Sequence, residues 1–403
     1  MTKKIKYLLS IFVAVLSMPL LADVEYNIIP LEPADYIPSS LSVESEVYDL
    51  SETGYVVGSI SCYPHFPLTK GFVYHPDEGF KVILGPLENG DLKAEKINNE
   101  GVVVGWINKK EWRIQDDGHG ASCGFDTGIF IFDQKDNLFI DPPSLSKIDT
   151  FDVLGISNNG KILVRGDWND LGMMGYIYDR SMDEVSFSTP PNPIAINNAG
   201  NIIGNNWYYS IEGGLKNLPS LDPYDRWDVN AEVLSENNVV AGVGADIQEN
   251  EKGFIWDEEN GMRVIYTLGG DRIKIKGINN LSQVVGSSKT EDLITHAFIF
   301  DESLGTMDLG TLGGEKSSAS DINDLTQVVG YAESYSKVKD KRAFIWDKVK
   351  GMRDLNDLIP NNSGWKKLEE AKKINNKGYI IGQGIYQGQE RGFLLIPKHE
   401  NLK

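Results

Sequence analysis

The hydrophobic positions of this chain recur in eight copies of one short phrase. Each copy is an aliphatic residue, Asn or Ser, a polar residue, two further residues among which Gly is favoured, and then an aliphatic run. The copies begin at Leu50, Ile97, Ile156, Ile196, Leu234, Ile278, Ile322 and Ile374. Their spacing varies from 38 to 59 residues around a period of about 45, which is typical of propellers and solenoids built from strand-type units.

One repeat contains four short apolar segments separated by turn residues. In the sixth copy they are IKGI, QVVGSS, HAFIF and MDLG, and the seventh copy has the same order. Four such segments with ordinary hairpin turns fill about 45 residues, which is the content of one four-stranded propeller blade. The Asn-rich turn after the first segment needs no ligand to explain it, because Asn side chains bond their own backbone and both Asn and Gly tolerate positive φ.

The two ends of the chain predict how a ring would close. The eighth copy lacks its fourth segment, whereas the extra segment VEYNIIPL at residues 24–31 precedes the first copy. An N-terminal strand that completes the last blade leaves no exposed sheet edge. We therefore predict an all-β fold with a single propeller over residues 23–397 and a tail at 398–403. Eight four-stranded blades fit best; seven blades and a right-handed β-solenoid are the alternatives.

The first residues have the composition of an export signal. Three lysines precede an apolar stretch at residues 7–21, and Ala22 is a small residue that suits a cleavage site. The stretch is short for a spanning helix, which needs about 20 residues, and no later segment is apolar enough to span a bilayer. We predict a signal peptide over residues 1–22 and a periplasmic or extracellular protein. An uncleaved anchor is the alternative.

The charge of the chain excludes some classes of partner. The formal net charge is −19, and removing the three signal lysines makes it −22. Such a chain repels the phosphates of nucleic acids and anionic membrane surfaces, so we expect neither a nucleic-acid partner nor membrane insertion after signal removal. The acids are spread over every repeat, which favours a solubilising surface. A cationic partner or a divalent cation remains compatible with this charge; no other cofactor is indicated, and we expect a monomer.

The chain has two cysteines, Cys62 and Cys123. They follow the phrase in the first and second copies, so both are expected in the same type of loop on adjacent blades. In an oxidising compartment a bridge between them can persist. The sequence therefore predicts a disulfide, with two free thiols or a metal-binding pair as alternatives.

The predicted loops differ between the two faces of the propeller. The turns between segments one and two and between three and four are short. The connections on the other face, here called the long-loop face, are the long segments 61–70, 108–127, 166–174, 220–230 and 357–370. Long loops on a rigid scaffold carry binding sites, and aromatic side chains beside carboxylates suit sugars or protein partners. The candidate binding residues there are Trp112, His119, Trp168, Tyr224, Trp227 and Trp365.

Two other interpretations of these loops stay open. The tryptophans can simply cover the tops of the blades. Asp116, Asp117 and Asp126 are weak candidates for cation ligands, although their spacing matches no standard metal motif.

The sixth copy resembles a known family of extracellular repeats. His296-Ala297-Phe298, with the preceding INNLSQVVG and the following MDLGTLGG, is similar to the HAF-repeat family, which is named after this tripeptide. The resemblance extends over roughly residues 24–397, and it implies an exported repeat protein of β character. It implies no activity and no catalytic residues. Since the tripeptide occurs once, we interpret His296 as a rim residue.

Two functions from different classes fit this sequence. The first is an exported, non-catalytic recognition scaffold that binds a polysaccharide or a protein through the long-loop face. The second is a propeller glycosidase or lyase that uses acidic residues near the central channel. The chain lacks the standard hydrolase, zinc-protease, P-loop and dinucleotide motifs, which favours the first. Acids from several blades that converge beside a tryptophan would favour the second.

Overall fold

Eight four-stranded antiparallel sheets form the blades of one β-propeller. The computed structural model describes residues 26–33, 42–63, 68–85, 91–114, 121–140, 142, 152–167, 173–222, 229–246, 248, 250–335 and 340–398. Within these residues a short 3-10 helix spans Leu355–Leu358, and no helix is long and apolar enough to cross a membrane. The predicted all-β fold and the count of eight blades are confirmed.

The strands follow one another outward from the axis in each blade, and we number them in chain order. Blades 1 to 4 are formed by β2 (Ser42–Leu50), β3 (Val56–Tyr63), β4 (Leu68–His75) and β5 (Gly79–Val82); β6 (Asp91–Ile97), β7 (Val102–Ile114), β8 (Ala121–Asp133) and β9 (Leu138–Ile140); β10 (Asp152–Ile156), β11 (Lys161–Asp167), β12 (Met173–Asp179) and β13 (Glu184–Thr189); and β14 (Pro193–Ile196), β15 (Ile202–Gly204), β16 (Trp207–Ser210) and β17 (Gly214–Asn217). Blades 5 to 8 are formed by β18 (Asn230–Leu234), β19 (Val240–Ala245), β20 (Glu251–Asp257) and β21 (Gly261–Ile265); β22 (Gly269–Ile278), β23 (Val284–Thr290), β24 (Thr295–Asp301) and β25 (Gly305–Gly310); β26 (Gly313–Ile322), β27 (Val328–Ser334), β28 (Lys341–Asp347) and β29 (Gly351–Asp354); and β30 (Trp365–Ile374), β31 (Ile380–Tyr386), β32 (Gln389–Pro397) and β1 (Tyr26–Pro30).

The N-terminal strand closes the ring. β1 is the outermost strand of blade 8 and pairs antiparallel with β32, from Tyr26 opposite Pro397 to Pro30 opposite Phe393. The backbone N–H of Leu31 continues the ladder to the carbonyl of Gly392 at 2.9 Å. The predicted pairing of the two chain ends is therefore confirmed, and it supplies the fourth strand that the eighth repeat lacks.

Every first strand carries a β-bulge at the same place, next to the strand that follows. In blade 7 the register shifts between Ala319 and Asp321, and Gly330 of β27 lies beside this bulge. A Cβ on Gly330 would lie 2.1 Å from the carbonyl oxygen of Ser318, so only glycine fits. The glycines in this situation are Gly58, Gly105, Gly242, Gly286, Gly330 and Gly382. They explain why the aliphatic run of the repeat ends in Gly.

The core is divided among the interfaces between blades. Each third strand buries one aromatic side chain at the position of Phe in the AFI segment: Phe72, Phe130, Tyr176, Trp207, Phe254, Phe298, Phe344 and Phe393. Aliphatic side chains of the flanking blades pack around these rings, as Val285 and Ile299 of blade 6 do around Phe344 of blade 7. Because each interface buries its own cluster, one ring accommodates a chain longer than a single core would hold.

One predicted loop has a different structure. Most of segment 108–127 belongs to a hairpin in which β7 and β8 have 13 residues each. The two strands stay in register from Val102 opposite Asp133 to Ile114 opposite Ala121. The prediction of an irregular loop is wrong for this part, because continuous backbone pairing outweighs the weak strand signal of its polar residues.

Candidate functional site

The first strands of the blades surround the propeller axis. Each first strand contacts the first strand of the next blade, and β30 contacts β2. The bulge leaves one residue per first strand out of the ladder, and bulges re-aim side chains. At one level of the axis these residues are Tyr48, Glu95, Leu154, Ile194, Glu232, Lys276, Ser320 and Lys372. The central channel of the propeller therefore has a largely polar lining at this level.

The Asn-rich turns bond each blade to the next at one mouth of the channel. The first Asn of a turn donates from Nδ2 to the carbonyl of the equivalent residue in the next blade, at 3.0 to 3.1 Å. The pairs are Asn98 to Ser157, Asn197 to Ser235, Asn279 to Asn323, Asn323 to Asn375, and Asn375 to Ser51. These amides are buried, so the first Asn has a structural role.

The second residue of each turn extends this network around the mouth. Its backbone N–H donates to the side-chain oxygen of the equivalent residue in the next blade, at 2.8 to 3.1 Å. The links are Glu52 to Asn99, Asn99 to Asn158, Asn158 to Asn198, Asn198 to Glu236, Asn280 to Asp324, Asp324 to Asn376, and Asn376 to Glu52. Between blades 5 and 6, Asn237 Nδ2 donates instead to the carbonyl of Asn280 at 2.8 Å.

Three carboxylates belong to this ring of turns. Glu52, Glu236 and Asp324 accept N–H groups of neighbouring blades at 3.0, 2.9 and 2.8 Å. Burial raises the pKa of Glu52, and the charge of Asp324 adds to this effect. Burial also raises the pKa of Glu236, and the charge of Glu52 adds to this effect. The acids converge at the mouth, but each is engaged in holding a turn.

A partly buried charged layer lies below the ring of turns. Lys373 Nζ is 2.7 Å from Asp49 Oδ1, and the Asp49 charge, against burial, raises the pKa of Lys373. Burial lowers the pKa of Lys96, which also faces Asp49. Asp321 accepts the backbone N–H of Ile374 at 3.0 Å, and burial raises its pKa to about 6. These charges join blades 1, 2, 7 and 8.

A second group of side chains, which we call the channel cluster, combines aromatic rings with both signs of charge. It consists of Glu46, Tyr48, Lys93, Glu95, Trp106 and Lys372. Lys93 Nζ lies 5.5 Å from the ring centre of Tyr48 and 5.6 Å from that of Trp106. Lys93 and Trp106 are directly opposite on β6 and β7. The cluster thus joins blades 1, 2 and 8.

Glu46 and Lys372 form the other half of the cluster. The Tyr48 hydroxyl donates to Glu46 Oε2 at 3.0 Å and also contacts Ser59 Oγ at 2.9 Å. Lys372 Nζ donates to Glu46 Oε1 at 3.2 Å and to the carbonyl of Val47 at 3.1 Å. The Glu46 side chain is 52% exposed, so an incoming molecule can reach its carboxylate.

The pKa values of the two carboxylates of the channel cluster are shifted in opposite directions. Burial raises the pKa of Glu95, and the charges of Lys96 and Lys93 and a hydrogen bond from Trp106 only partly offset this. At Glu46 burial is outweighed by the Lys372 charge and the Tyr48 hydrogen bond, so its pKa falls below the ordinary value. Burial raises the pKa of Tyr48 as well, so the phenol stays protonated.

Two polar grooves open between blades on the short-turn face. The larger has a volume of about 830 Å³ between blades 4 and 5, and Asn201, Asn237, Glu212 and Glu259 are among its lining residues. The smaller has a volume of about 430 Å³ between blades 2 and 3. The larger groove lies beside β15, a strand of three residues in the shortest blade.

Trp365 is the one predicted binding residue whose side chain the structure describes. It begins β30 and packs against Tyr386 and Phe393, with ring centres 5.1 and 5.8 Å away. The indole belongs to the rim of the core between blades 7 and 8. Its buried Nε1 has no hydrogen-bond partner among the described residues.

The other predicted residues are described in part or not at all. Trp112, Cys123 and Asp126 lie on the β7–β8 hairpin, where the backbones of Trp112 and Cys123 are opposite each other; their side chains, like that of Cys62 on β3, lie outside the description. His119, Asp116, Asp117, Trp168, Tyr224 and Trp227 lie outside the described residues. The disulfide stays a prediction. Among the described residues no group of three His, Cys, Asp or Glu side chains is arranged to hold a metal ion.

Sequence reasoning missed the channel cluster. Its members come from three blades, and Tyr48, Glu95 and Lys372 lie at the bulge, which period-two alternation does not predict. One signal was present. Trp106 directly follows the phrase VVVG, at a position where the other copies have Ser, Arg, Asn, Val, Tyr or Gln.

Comparisons with known proteins agree with the fold. Residues 230–395, which span blades 5 to 8, match a family described as a protein of unknown function (DUF3466). No curated protein is similar in sequence. A structure from a study of two prolyl endopeptidases superposes with a TM-score of 0.52 at 10% identity over 90% of this chain. The propeller domain of the Trilobed protease from Pyrococcus furiosus, described as having an open velcro topology, gives 0.45 at 10% identity over 89% of this chain and 100% of its own.

The superposition with the prolyl endopeptidase structure shows the fold alone. This chain spans 55% of the length of the prolyl endopeptidase chain. At such low identity the activity named for that protein does not transfer to this chain.

Proposed function

We propose that this chain is an exported, non-catalytic recognition scaffold of the HAF-repeat type, which binds a polysaccharide or a protein partner at the long-loop face. The observation that supports it most directly is the channel cluster. The first strands run from the long-loop face to the Asn-rich turns, and inside the channel they hold a half-exposed carboxylate, two aromatic rings and two ammonium groups. Rigid strands that hold such groups form a ready-made binding surface.

The bonds of the carboxylates favour binding over catalysis. Glu46 is engaged by Tyr48 and Lys372, and Glu95 by Trp106. The acids of the mouth are engaged by backbone N–H groups. A nucleophile or general base needs an oxygen free to reach the substrate.

One observation favours an enzyme as the second candidate. Glu46 and Glu95 belong to the same cluster as Trp106, and their pKa values are moved in opposite directions, which is the relation required between the base or nucleophile and the acid of a glycosidase. A glycosidase would therefore use Glu95 as the acid and Glu46 as its partner.

A glycan array probed with residues 23–403 tests both candidates. We expect wild type to bind at least one polysaccharide class, and a variant with Trp112→Ala and Trp227→Ala to lose part of this binding if the long-loop face takes part. If the wild-type protein binds no glycan, the polysaccharide version of the proposal fails. If the bound glycan is shortened during incubation and Glu95→Gln stops this, the enzyme replaces the scaffold.

Export is tested separately. We expect the protein in the periplasm or the medium, with a mass that corresponds to removal of about residues 1–22 and a bridge between Cys62 and Cys123. A variant with Leu8→Arg and Leu9→Arg interrupts the apolar stretch and should stay in the cytoplasm. Full-length wild-type protein found there would contradict the export proposal.

A further inference from the structure

The channel cluster contains a cation that has no direct hydrogen-bond or ion-pair partner among the described residues. The Lys93 ammonium faces the rings of Tyr48 and Trp106, and in the described part of the chain it makes no hydrogen bond and no ion pair. Ring faces attract a cation but do not neutralise it. Glu46 and Glu95 interact with this lysine through their charges, but neither forms a direct ion pair with it. The position is therefore open to an anionic group of a ligand.

A second cation stands on the other side of Tyr48. Lys372 Nζ lies 5.9 Å from the centre of the same ring and is 3.2 Å from Glu46. Both ammonium groups thus lie within 6 Å of one phenol ring, and only that of Lys372 forms a direct ion pair. A carboxylate that enters beside Lys93 gains a charge-assisted hydrogen bond.

The carboxylates of the cluster limit which anion fits. Glu46 and Glu95 repel a multiply charged group such as phosphate or sulfate, because the repulsion grows with the charge of the ligand. The same carboxylates accept hydrogen bonds from hydroxyl groups. The cluster therefore suits a ligand that has one negative charge and several hydroxyls on a small unit.

The aromatic rings of the channel cluster also suit a sugar ligand. Trp106 is partly buried and its indole N–H is directed to Glu95, which fixes the ring against the channel wall. A sugar ring can lie on such a face through its C–H groups, while its hydroxyls reach the neighbouring acids. A carboxylated sugar combines all three requirements.

We propose that the channel cluster binds a uronic acid unit of a polysaccharide, with the sugar carboxylate at Lys93, the hydroxyls at Glu46 and Glu95, and the sugar ring against Trp106. This inference rests on the proposed recognition function and names its ligand class. It adds a site in the channel, apart from the predicted loop tryptophans.

Calorimetry with matched oligosaccharides tests it. The probes are a trimer of galacturonic acid, a trimer of galactose, and triglutamate. We expect the uronate trimer to bind at least ten times more tightly than the galactose trimer, and its affinity to fall as salt is added. Triglutamate should bind at least ten times more weakly than the uronate, because it lacks the hydroxyls.

Variants locate the site. Lys93→Met should reduce uronate affinity at least ten-fold, whereas Lys93→Arg keeps the charge and should retain most of it. Lys372→Met provides a second loss of charge if Lys93→Met does not fold. Lys81→Met is the matched control, because Lys81 also lies over a ring, that of Phe132 at 5.3 Å, on the outer strand of blade 1. It should bind like wild type.

The outcomes separate the two proposals. Equal affinity for the uronate and galactose trimers, or wild-type affinity in a folded Lys93→Met, overturns the uronate site. Equal affinity for triglutamate overturns the assignment to a sugar. If the glycan array shows binding to neutral glycans while the uronate trimer does not bind, the scaffold stands and this inference fails. If no glycan binds at all, this inference and the polysaccharide version of the scaffold proposal both fail.

Discussion

Asn375 Nδ2 donates a hydrogen bond of 3.0 Å to the carbonyl oxygen of Ser51, a residue 324 positions earlier in the chain. This bond joins blade 8 to blade 1 at the channel mouth. The same contact joins Asn323 to Asn375 at 3.0 Å one blade earlier. The phrase that repeats along the sequence therefore joins successive blades through hydrogen bonds, and its last copy joins blade 8 to blade 1.

Asn375→Ala should weaken the closed ring. The side chain donates to Ser51 and accepts the backbone N–H groups of Lys377 and Tyr379, both at 3.0 Å, and it is buried. Its loss leaves polar backbone groups without partners, so we expect the free energy of unfolding to fall by about 1–3 kcal/mol. Urea unfolding measures this. Asn27→Ala at an exposed position of β1 is the control. An equal effect of both changes would contradict the role of Asn375 in joining blades 8 and 1.

The pairing of β1 with β32 is tested by two proline variants. The bond from Leu31 N–H to Gly392 makes the alternate residues Ile29 and Asn27 the hydrogen-bonded ones, so the N–H of Ile28 points away from β32. Proline removes a ladder bond only at Ile29. We expect Ile29→Pro to lower the thermal midpoint more than Ile28→Pro does. The reverse order, or no effect of either, would argue against closure by this strand.

The sequence was sufficient for the parts of the fold that repeat. Eight phrases predicted eight blades, and the segment that contains Tyr26 could be assigned to blade 8 because that blade lacked a strand. Contacts between non-equivalent blades could not be predicted in this way. Tyr48, Lys93 and Lys372 meet because ring closure brings blades 8, 1 and 2 side by side around one axis. The residues at these channel positions differ from blade to blade, so the repeat does not indicate which of them form a site. The paired β7–β8 hairpin was missed for a different reason, since its polar residues alternate only weakly.

Gly330→Ala tests the link between the bulge and the glycine of the phrase. An added Cβ would lie 2.1 Å from the Ser318 carbonyl and 3.0 Å from the Phe344 ring, so backbone must move and the bulge is distorted. We expect a loss of about 3 kcal/mol or more. Gly305→Ala is the matched control. It has a φ of +75° and open space around it, so its cost should be about 1–2 kcal/mol. Similar losses at both sites would show that the steric argument is wrong.

The partly buried Asp321 makes stability depend on pH. Burial raises its pKa from 3.8 to about 6, so the folded state binds the proton more strongly than the unfolded state does. The stabilisation that results is complete below about pH 4 and is lost as the pH rises through about 6. Asp321→Asn resembles the neutral carboxyl at every pH. We therefore expect the wild-type free energy of unfolding to fall relative to that of the variant by about 3 kcal/mol between pH 4 and pH 7.

Denaturant unfolding of both proteins at several pH values measures this difference. Asp49 and Lys373 belong to the same charged layer and affect each profile, so the informative quantity is the gap between wild type and Asp321→Asn. Lys373→Met is a second variant. Because Lys373 lowers the pKa of Asp321, its loss should raise this pKa and shift the fall in the free energy of unfolding to higher pH. Parallel profiles for wild type and Asp321→Asn would mean that the carboxylate is charged and compensated in the folded ring at all of these pH values.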